Sequence, residues 1–167
     1  MNKKILLIED DETVRENTAE LLELSNYQVQ TAVNGKEGIN IATSEIPDLI
    51  VCDIMMPEAD GYQVLNELSK NTKTSTIPFV FLSAKTDHKD IRKGMNLGAD
   101  DYLTKPFEEE ELITAIESRI TKTELLERSN TVDNFTIDNL LKELSAYPKL
   151  EIPEKAYVYK QGSQTEA

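Results

Sequence analysis

The chain has 167 residues, enough for one domain of ordinary size with an appendage but not for two full domains. Its composition, 39% hydrophobic and 29% charged, is typical of a soluble globular protein with an apolar core. The formal net charge of -13 repels phosphate backbones, so we expect no direct nucleic-acid binding by this portion of the protein.

The sequence contains no apolar run long enough to span a membrane and no signal-peptide pattern at its start. Its single cysteine, Cys52, lies inside an apolar run, which excludes a disulfide framework and a cysteine metal cluster. We therefore expect no membrane association and a location in the reducing cytoplasm.

From residue 3 to about residue 120, short apolar runs alternate with amphipathic segments. The runs predict five strands, and their nearly continuous apolar character indicates a parallel sheet that is covered on both faces. These predicted strands are Ile5–Ile8, Val29–Ala32, Leu49–Cys52, Phe79–Leu82 and Tyr102–Leu103.

The segments between the runs predict helices, because their apolar residues recur on one helical face. Such faces are formed by Val14, Thr18, Leu21 and Leu22, by Val64, Leu65 and Leu68, and by Leu112, Ile113, Ile116 and Ile120. Five successive β-α units predict an α/β fold with a doubly wound parallel sheet, whose ligand site lies at the carboxyl ends of the strands.

Polar residues that suit a single site follow these strands. The first strand leads into Glu9–Asp11, the third ends on Asp53, the fourth ends on Ser83, and Lys105 follows the fifth. Because the carboxyl ends of parallel strands meet at one edge of a sheet, we expect these groups to converge in one crevice.

The chemistry of this set favours phosphoryl transfer onto a carboxylate. Crowded carboxylates repel each other unless a cation neutralises them, and Mg²⁺ binds through carboxylates, waters and phosphate oxygens. Asp53 would be the nucleophile that forms an aspartyl phosphate, with Ser83 as a hydroxyl donor. Mg²⁺ and Lys105 would stabilise the charge on the transferred group, since this reaction needs mainly positioning and electrostatics.

Four stretches of sequence resemble, in order and spacing, the signatures of the receiver family of two-component response regulators. They are LLIEDDE, LIVCDIMMPEADGY, PFVFLSAK and GMNLGADDYLTKPF. The resemblance covers roughly residues 3 to 120. It implies a flavodoxin-like fold with a five-stranded parallel sheet in the order 2-1-3-4-5.

The resemblance also assigns a metal site. Glu9 and Asp10 match the acidic pair of the family, and Asp10 and Asp53 would hold Mg²⁺ beside the main-chain carbonyl of Met55. The next two acids, Asp11–Glu12, are better interpreted as first-turn residues that complement a helix dipole than as metal ligands.

Further positions match the residues with which the family receives and transmits the signal. Asp53 matches the phosphoacceptor, Lys105 the phosphate-binding lysine, and Ser83 the switch hydroxyl. Tyr102 matches an aromatic residue that turns inward on activation, and Pro106 matches a proline that follows the lysine through a cis bond.

The function implied is that of a response regulator in a phosphorelay. A sensor histidine kinase or a phosphotransfer protein would supply the phosphoryl group, and the switch would control an output such as transcription. We expect the chain to form a homodimer on activation. Because the transfer is self-catalysed on Asp53, the protein would not be an enzyme in the usual sense.

Two other classes of protein share part of this pattern. A phosphatase of the haloacid-dehalogenase type also forms an aspartyl phosphate, but it needs a second aspartate two residues after the nucleophile, where this chain has Met55. A flavodoxin-like electron carrier needs a loop rich in Ser, Thr and Gly after the first strand, and the acids Glu9–Asp11 would instead repel a flavin phosphate. Both are therefore disfavoured.

We divide the chain into a receiver domain, residues 1–122, and an extension, residues 123–167. The fifth helix is expected to continue to Ser129, and a polar break is expected at Asn130–Asn134. A second helix would follow, capped by Asp133 or Thr136 and closed by Tyr147-Pro148. Its apolar stripe would be Ile137, Leu140, Leu141 and Leu144.

From Lys149 onward the sequence alternates like a strand that enters a turn. With the preceding helix, the stretch AYVYKQG resembles the opening of a cyclic-nucleotide-binding domain of the catabolite-activator type, without its phosphate-binding cassette. One interpretation is that residues from about 133 begin an output domain that the chain does not complete. The alternatives are an ordinary helical tail with a disordered end, or an arm that packs on its own receiver or on a second copy.

Overall fold

The computed structural model describes residues 2–84 and 88–146, with side chains described for residues 2–84 and 90–129. Five strands alternate with five helices. The strands are β1 (Lys4–Ile8), β2 (Gln28–Ala32), β3 (Leu49–Asp53), β4 (Phe79–Ser83) and β5 (Asp101–Thr104). The helices are α1 (Glu12–Leu24), α2 (Gly35–Glu45), α3 (Gly61–Ser69), α4 (His88–Asn96) and α5 (Glu109–Ala146).

All strand pairs are parallel, in the order β2-β1-β3-β4-β5. The predicted doubly wound sheet and its strand order are therefore confirmed. The last residue of β1, Ile8, pairs with Ala32 and Cys52, and Asp53 pairs with Leu82. The carboxyl ends of the central strands thus meet in register at one edge.

The core forms two apolar layers, one on each face of the sheet. Because side chains alternate along a strand, Leu6 and Ile8 of β1 face one layer, and Ile5 and Leu7 face the other. The first layer joins the sheet to α2 and α3, and the second joins it to α1 and α5. Every residue of β3 and β4 is buried, which explains why these strands read as continuous apolar runs.

Three helices begin at side-chain caps immediately after the loops that leave the strand ends. Asp11, Asn34 and Asp60 each accept a hydrogen bond from the backbone N–H three residues later, at 2.8 to 2.9 Å. Asp60 also forms a capping box with Gln63. These caps satisfy backbone donors that the first turn of a helix leaves open, so they fix where each helix starts.

The expected break at Asn130–Asn134 is wrong, because α5 continues without interruption from Glu109 to Ala146. That segment contains neither Gly nor Pro, and polar side chains do not interrupt a helix by themselves. Asp133 and Thr136 therefore lie in the interior of α5 rather than at a cap. The side chains of the proposed apolar stripe, and residues 147–167 with the predicted strand, lie outside the described residues.

Packing divides the chain into two compact units, residues 1–127 and 128–167. The first unit contains all five strands, α1 to α4 and the first part of α5. Of the second unit, the structure describes the helical residues 128–146. None of the helices in the described part of the chain combines the length and apolar character that a bilayer crossing requires.

Candidate functional site

The site predicted from the strand ends is assembled in the structure. Glu9 and Asp10 directly follow β1, Asp53 ends β3, Ser83 ends β4, and Lys105 directly follows β5. Strand pairing places the ends of β3, β4 and β5 side by side, since Asp53 pairs with Leu82 and the next residue, Ser83, pairs with Thr104.

Three carboxylates form the acidic side of the site. Glu9, Asp10 and Asp53 each offer an oxygen within 4.8 Å of the other two. Glu9 and Asp53 are buried, at 2% and 4% exposure, whereas Asp10 is exposed. Carboxylates this close favour a bound cation, and an all-oxygen donor set with one ligand open to solvent fits a hard divalent ion.

Lys105 supplies the positive charge opposite these acids. Its ammonium donates to Glu9 Oε2 at 2.5 Å and to Asp53 Oδ1 at 2.9 Å, although the three residues lie up to 96 positions apart. A single lysine cannot balance three carboxylates, so this group of four side chains can still gain from a further cation.

The shared burial changes the titration of Glu9 and Lys105. Burial raises the pKa of the Glu9 carboxyl above its usual range, the bond from Lys105 opposes this rise, and the neighbouring Asp53 adds to it. Burial alone would lower the pKa of the Lys105 ammonium, but its bonds to Glu9 and Asp53 outweigh that and raise it. Lys105 therefore remains charged at neutral pH.

The loop after β3 holds the Asp53 carboxylate from its other side. The backbone N–H of Met55 donates to Asp53 Oδ2 at 3.0 Å, so the main chain at Met55 lies beside the carboxylate, and the Met55 side chain is exposed. A Cβ atom at Gly61 would lie 2.5 Å from the carbonyl oxygen of Asp53. Only glycine allows α3 to begin this close to the end of β3.

The remaining predicted residues lie on β4, β5 and the loop that follows β5. Ser83 is fully buried, and its carbonyl oxygen accepts the backbone N–H of Lys105 at 2.7 Å. The Lys105–Pro106 peptide bond is cis, as the resemblance implied. Tyr102 is half-buried, and its ring packs inward against Phe81 at a centroid distance of 6.2 Å.

Sequence reasoning did not single out Arg15. Its guanidinium donates to the main-chain carbonyls of Glu9 and Asp10, at 3.0 and 3.2 Å, and so secures the loop that carries the acidic pair. No motif signals this role, because an arginine on the first helix reads as a solvated residue until the loop conformation is known. Asp11, as predicted, serves helix initiation by capping α1.

Known proteins match most of this chain. The family profile described as "Response regulator receiver domain" matches residues 5–117. The probable transcriptional regulator ycf27 of Cyanophora paradoxa is 42% identical over 132 residues, covering 79% of this chain and 54% of that protein. The alkaline phosphatase synthesis transcriptional regulatory protein PhoP of Bacillus subtilis is 38% identical over 134 residues, covering 80% and 55%. This chain therefore spans about half the length of these relatives.

Solved structures show the same fold. A response regulator receiver domain protein from Clostridium thermocellum has a TM-score of 0.70 at 32% identity, covering 74% of this chain and 98% of that chain. The receiver domain of Francisella response regulator 1452 has a TM-score of 0.69 at 33% identity, covering 73% and 99%. Since the family profile also covers more than half of the sequence, the chain belongs to the response-regulator receiver family.

Proposed function

We propose that Asp53 accepts a phosphoryl group, with Mg²⁺, from a sensor histidine kinase or a phosphotransfer protein. The observation that supports this most directly is the placement of a buried Asp53 carboxylate between the Lys105 ammonium and the acids Glu9 and Asp10. The nucleophile, the lysine ammonium and the metal-binding oxygens then lie together at the carboxyl edge of the sheet.

In the reaction, a carboxylate oxygen of Asp53 attacks the phosphorus atom of a phosphohistidine on the donor. A P–O bond forms while the P–N bond to the imidazole breaks, and the departing imidazole takes up a proton. Lys105 moves from its carboxylate partners towards the new phosphoryl oxygens and compensates their charge. Met55, through its N–H bond to Oδ2, keeps the carboxylate oriented.

The residues present fit a magnesium ion. Asp10, Asp53 and the main-chain carbonyl of Met55 would bind it, and Glu9 would complete the acidic surroundings. When bound, the ion supplies neutralisation of charge for the incoming phosphoryl group. The chain's own groups then position the nucleophile and exclude water from Asp53.

Phosphorylation would act as a switch rather than as turnover, so the protein is not an enzyme that processes a free substrate. Ser83, buried at the end of β4, would bind the phosphoryl group, and Tyr102 would report the change on the surface of α4 and β5. The output would be transcription, as in the named relatives, through an activated homodimer. This acidic portion would not bind DNA itself, and it would act in the cytoplasm beside its kinase.

The test is phosphorylation by a small donor. We expect acetyl phosphate or phosphoramidate to add one hydrolytically labile phosphoryl group to Asp53 in the presence of Mg²⁺, as mapped by mass spectrometry. Asp53→Asn should abolish the adduct, and EDTA should prevent it. Asp11→Asn is the matched control, because it removes an acid from the same loop while Asn preserves the helix cap. An Asp53→Asn protein that is phosphorylated as fast as the wild type would refute the assignment.

A further inference from the structure

Three elements near the site are joined by a cluster of four aromatic rings, which we call the aromatic cluster: Tyr62, Phe79, Phe81 and Tyr102. Phe81 is its fully buried centre and makes edge-to-face contacts with the other three, at centroid distances of 5.3, 5.0 and 6.2 Å respectively. The cluster therefore connects the start of α3, strand β4 and strand β5.

Helix α4 lies close above this cluster because Gly94 faces it. A Cβ atom at Gly94 would lie 3.1 Å from Phe81 Cδ2 and 3.4 Å from Tyr102 Cδ2. The helix has no side chain of its own at this point, so the rings of both Phe81 and Tyr102 can lie directly against α4. Any change in the distance of α4 from the sheet alters the room that is available to the Tyr102 ring.

Within the aromatic cluster, Tyr62 makes polar contacts with helix α4. Its hydroxyl donates to the main-chain carbonyl of Asp90, in the first turn of α4, at 3.2 Å. The Lys93 ammonium, also on α4, lies 4.0 Å from the centroid of the Tyr62 ring. Both contacts join Tyr62 to α4, so this side chain attaches the helix to the aromatic cluster.

The backbone next to Tyr62 packs against the phosphoacceptor, Asp53. Tyr62 directly follows Gly61, which is packed against the carbonyl oxygen of Asp53 and donates its N–H to Ile54 at 3.1 Å. Only 6% of Tyr62 is exposed, and burial, reinforced by Tyr102 and Asp90, raises its pKa to about 12. The phenol therefore keeps its proton, and with it the bond to α4, throughout the neutral pH range.

We propose that Tyr62 is a positioning residue of the switch: its hydroxyl holds α4 against the sheet, and the packing of α4 on Phe81 and Tyr102 in turn keeps the Tyr102 ring inward. Through this side chain the loop around Asp53 and the surface of α4 and β5 share one hydrogen-bonded link. The inference rests on the proposed function, in which the position of Tyr102 reports the state of the switch. It gives a role to a residue for which neither the family resemblance nor the strand-end pattern indicated one.

Tyr62→Phe tests the inference, because it removes only the hydroxyl and leaves the ring contacts with Phe81 and Lys93 in place. The protein is labelled with 3-fluorotyrosine, and the Tyr102 resonance is assigned by its loss in Tyr102→Phe. The readouts are the fluorine shift of Tyr102 and its change between H₂O and D₂O, which increases with exposure of the ring. Both are recorded in the resting protein and with beryllofluoride and Mg²⁺.

We expect Tyr62→Phe to lower the ratio of inward to outward Tyr102 by roughly 2-fold to 10-fold, the factor that corresponds to one net hydrogen bond. The Tyr102 resonance should move towards the exposed position. Tyr27→Phe is the matched control, since Tyr27 is a partly buried phenol that packs in the other core layer. It should leave Tyr102 unchanged. An unchanged Tyr102 resonance and isotope shift in Tyr62→Phe would overturn the proposal.

A second variant guards against an indirect effect on folding. Lys93→Gln changes an exposed side chain and removes the cation above the Tyr62 ring, so it should shift Tyr102 in the same direction and by less. Phosphorylation of Asp53 by acetyl phosphate is measured in the wild type and in the Tyr27→Phe control, which should have the same rate. Failure of the wild type to be phosphorylated would refute the proposed function, whereas the Tyr102 readout in the resting protein decides the role of Tyr62 independently.

Discussion

Replacing Lys105 by Met should leave the negative charges of Glu9 and Asp53 without their positive partner. The change keeps an unbranched side chain of similar volume and removes the ammonium that bonds Glu9 at 2.5 Å and Asp53 at 2.9 Å. The two carboxylate side chains are only 2% and 6% exposed, so they would remain buried without their partner. Losing one member of such a pair costs about 3–5 kcal/mol when no other group compensates.

Protonation of Glu9 relieves part of this cost. Burial and the neighbouring Asp53 already act to raise the pKa of Glu9, and the variant loses the lysine that opposes them. We therefore expect a loss of about 2–4 kcal/mol in the free energy of unfolding at pH 7.5 in EDTA. In urea denaturation this corresponds to a midpoint that is lower by roughly 1–2 M.

The sign of the pH dependence follows from the same residues. A carboxyl whose folded-state pKa is raised binds its proton more tightly in the folded protein, so stability falls as pH rises above the unfolded-state value of about 4.3 and through the folded pKa. The deficit of Lys105→Met should therefore be small near pH 4.5 and reach its full size at neutral pH. Added Mg²⁺ should stabilise the variant more than the wild type, because it binds a more negative site.

Lys70→Met is the matched control for this experiment. The Lys70 ammonium bonds Glu67 at 2.7 Å, but both side chains are more than half exposed. Such a surface pair within one helical turn should change stability by no more than about 0.5 kcal/mol. If Lys105→Met loses less than about 1 kcal/mol at pH 7.5 in EDTA, or the same amount at pH 4.5 and 7.5, Lys105 does not hold the acids in the way described.

Three further predictions concern α3 and its attachment to the site. Gly61→Ala places a Cβ 2.5 Å from the carbonyl oxygen of Asp53, so it should lower the free energy of unfolding by about 1–3 kcal/mol in urea denaturation and slow Mg²⁺-dependent phosphorylation. Wild-type values for both would contradict the close packing. Asp60→Ala should lose about 1 kcal/mol by removing the α3 cap, whereas Asp60→Asn should lose much less, and equal losses would rule out the cap. The stability difference between the wild type and Tyr62→Phe should persist up to pH 10 and disappear as pH passes 12, because burial raises the pKa of Tyr62 to about 12 in the folded state. A stability difference that stays constant across this pH range would contradict the raised pKa of Tyr62.

The sheet and the convergence of Glu9, Asp10, Asp53 and Lys105 were predictable because both depend on patterns that the sequence states directly. Continuous apolar runs marked the strands, and a polar group at each strand end marked the site, with Asp53 and Lys105 52 residues apart. The resemblance then identified the family, which the profile match confirms. The strand bounds differed from the expectations by at most one residue at each end, where backbone pairing extends beyond the apolar run.

Two features could not be predicted from patterns. The continuity of α5 through Asn130–Asn134 depends on backbone geometry, and a polar composition is compatible with either a helix or a loop. The roles of Arg15 and Tyr62 depend on contacts made with main-chain carbonyls, which have no sequence signature. A tyrosine after Gly61 reads as an ordinary core residue until the position of α4 is known.

The chain order of the site has a consequence for how the protein folds during its synthesis. The acids Glu9, Asp10 and Asp53 are all translated before Lys105, which bonds Glu9 across 96 positions. A nascent chain that ends within β4 can pack the apolar faces of its first strands, yet it would gather three carboxylates without their ammonium. Early formation of the site is therefore electrostatically disfavoured, and β5 with its following lysine removes that penalty. The acidic edge should be completed late, so that folding of the first unit becomes cooperative only once its last strand has emerged.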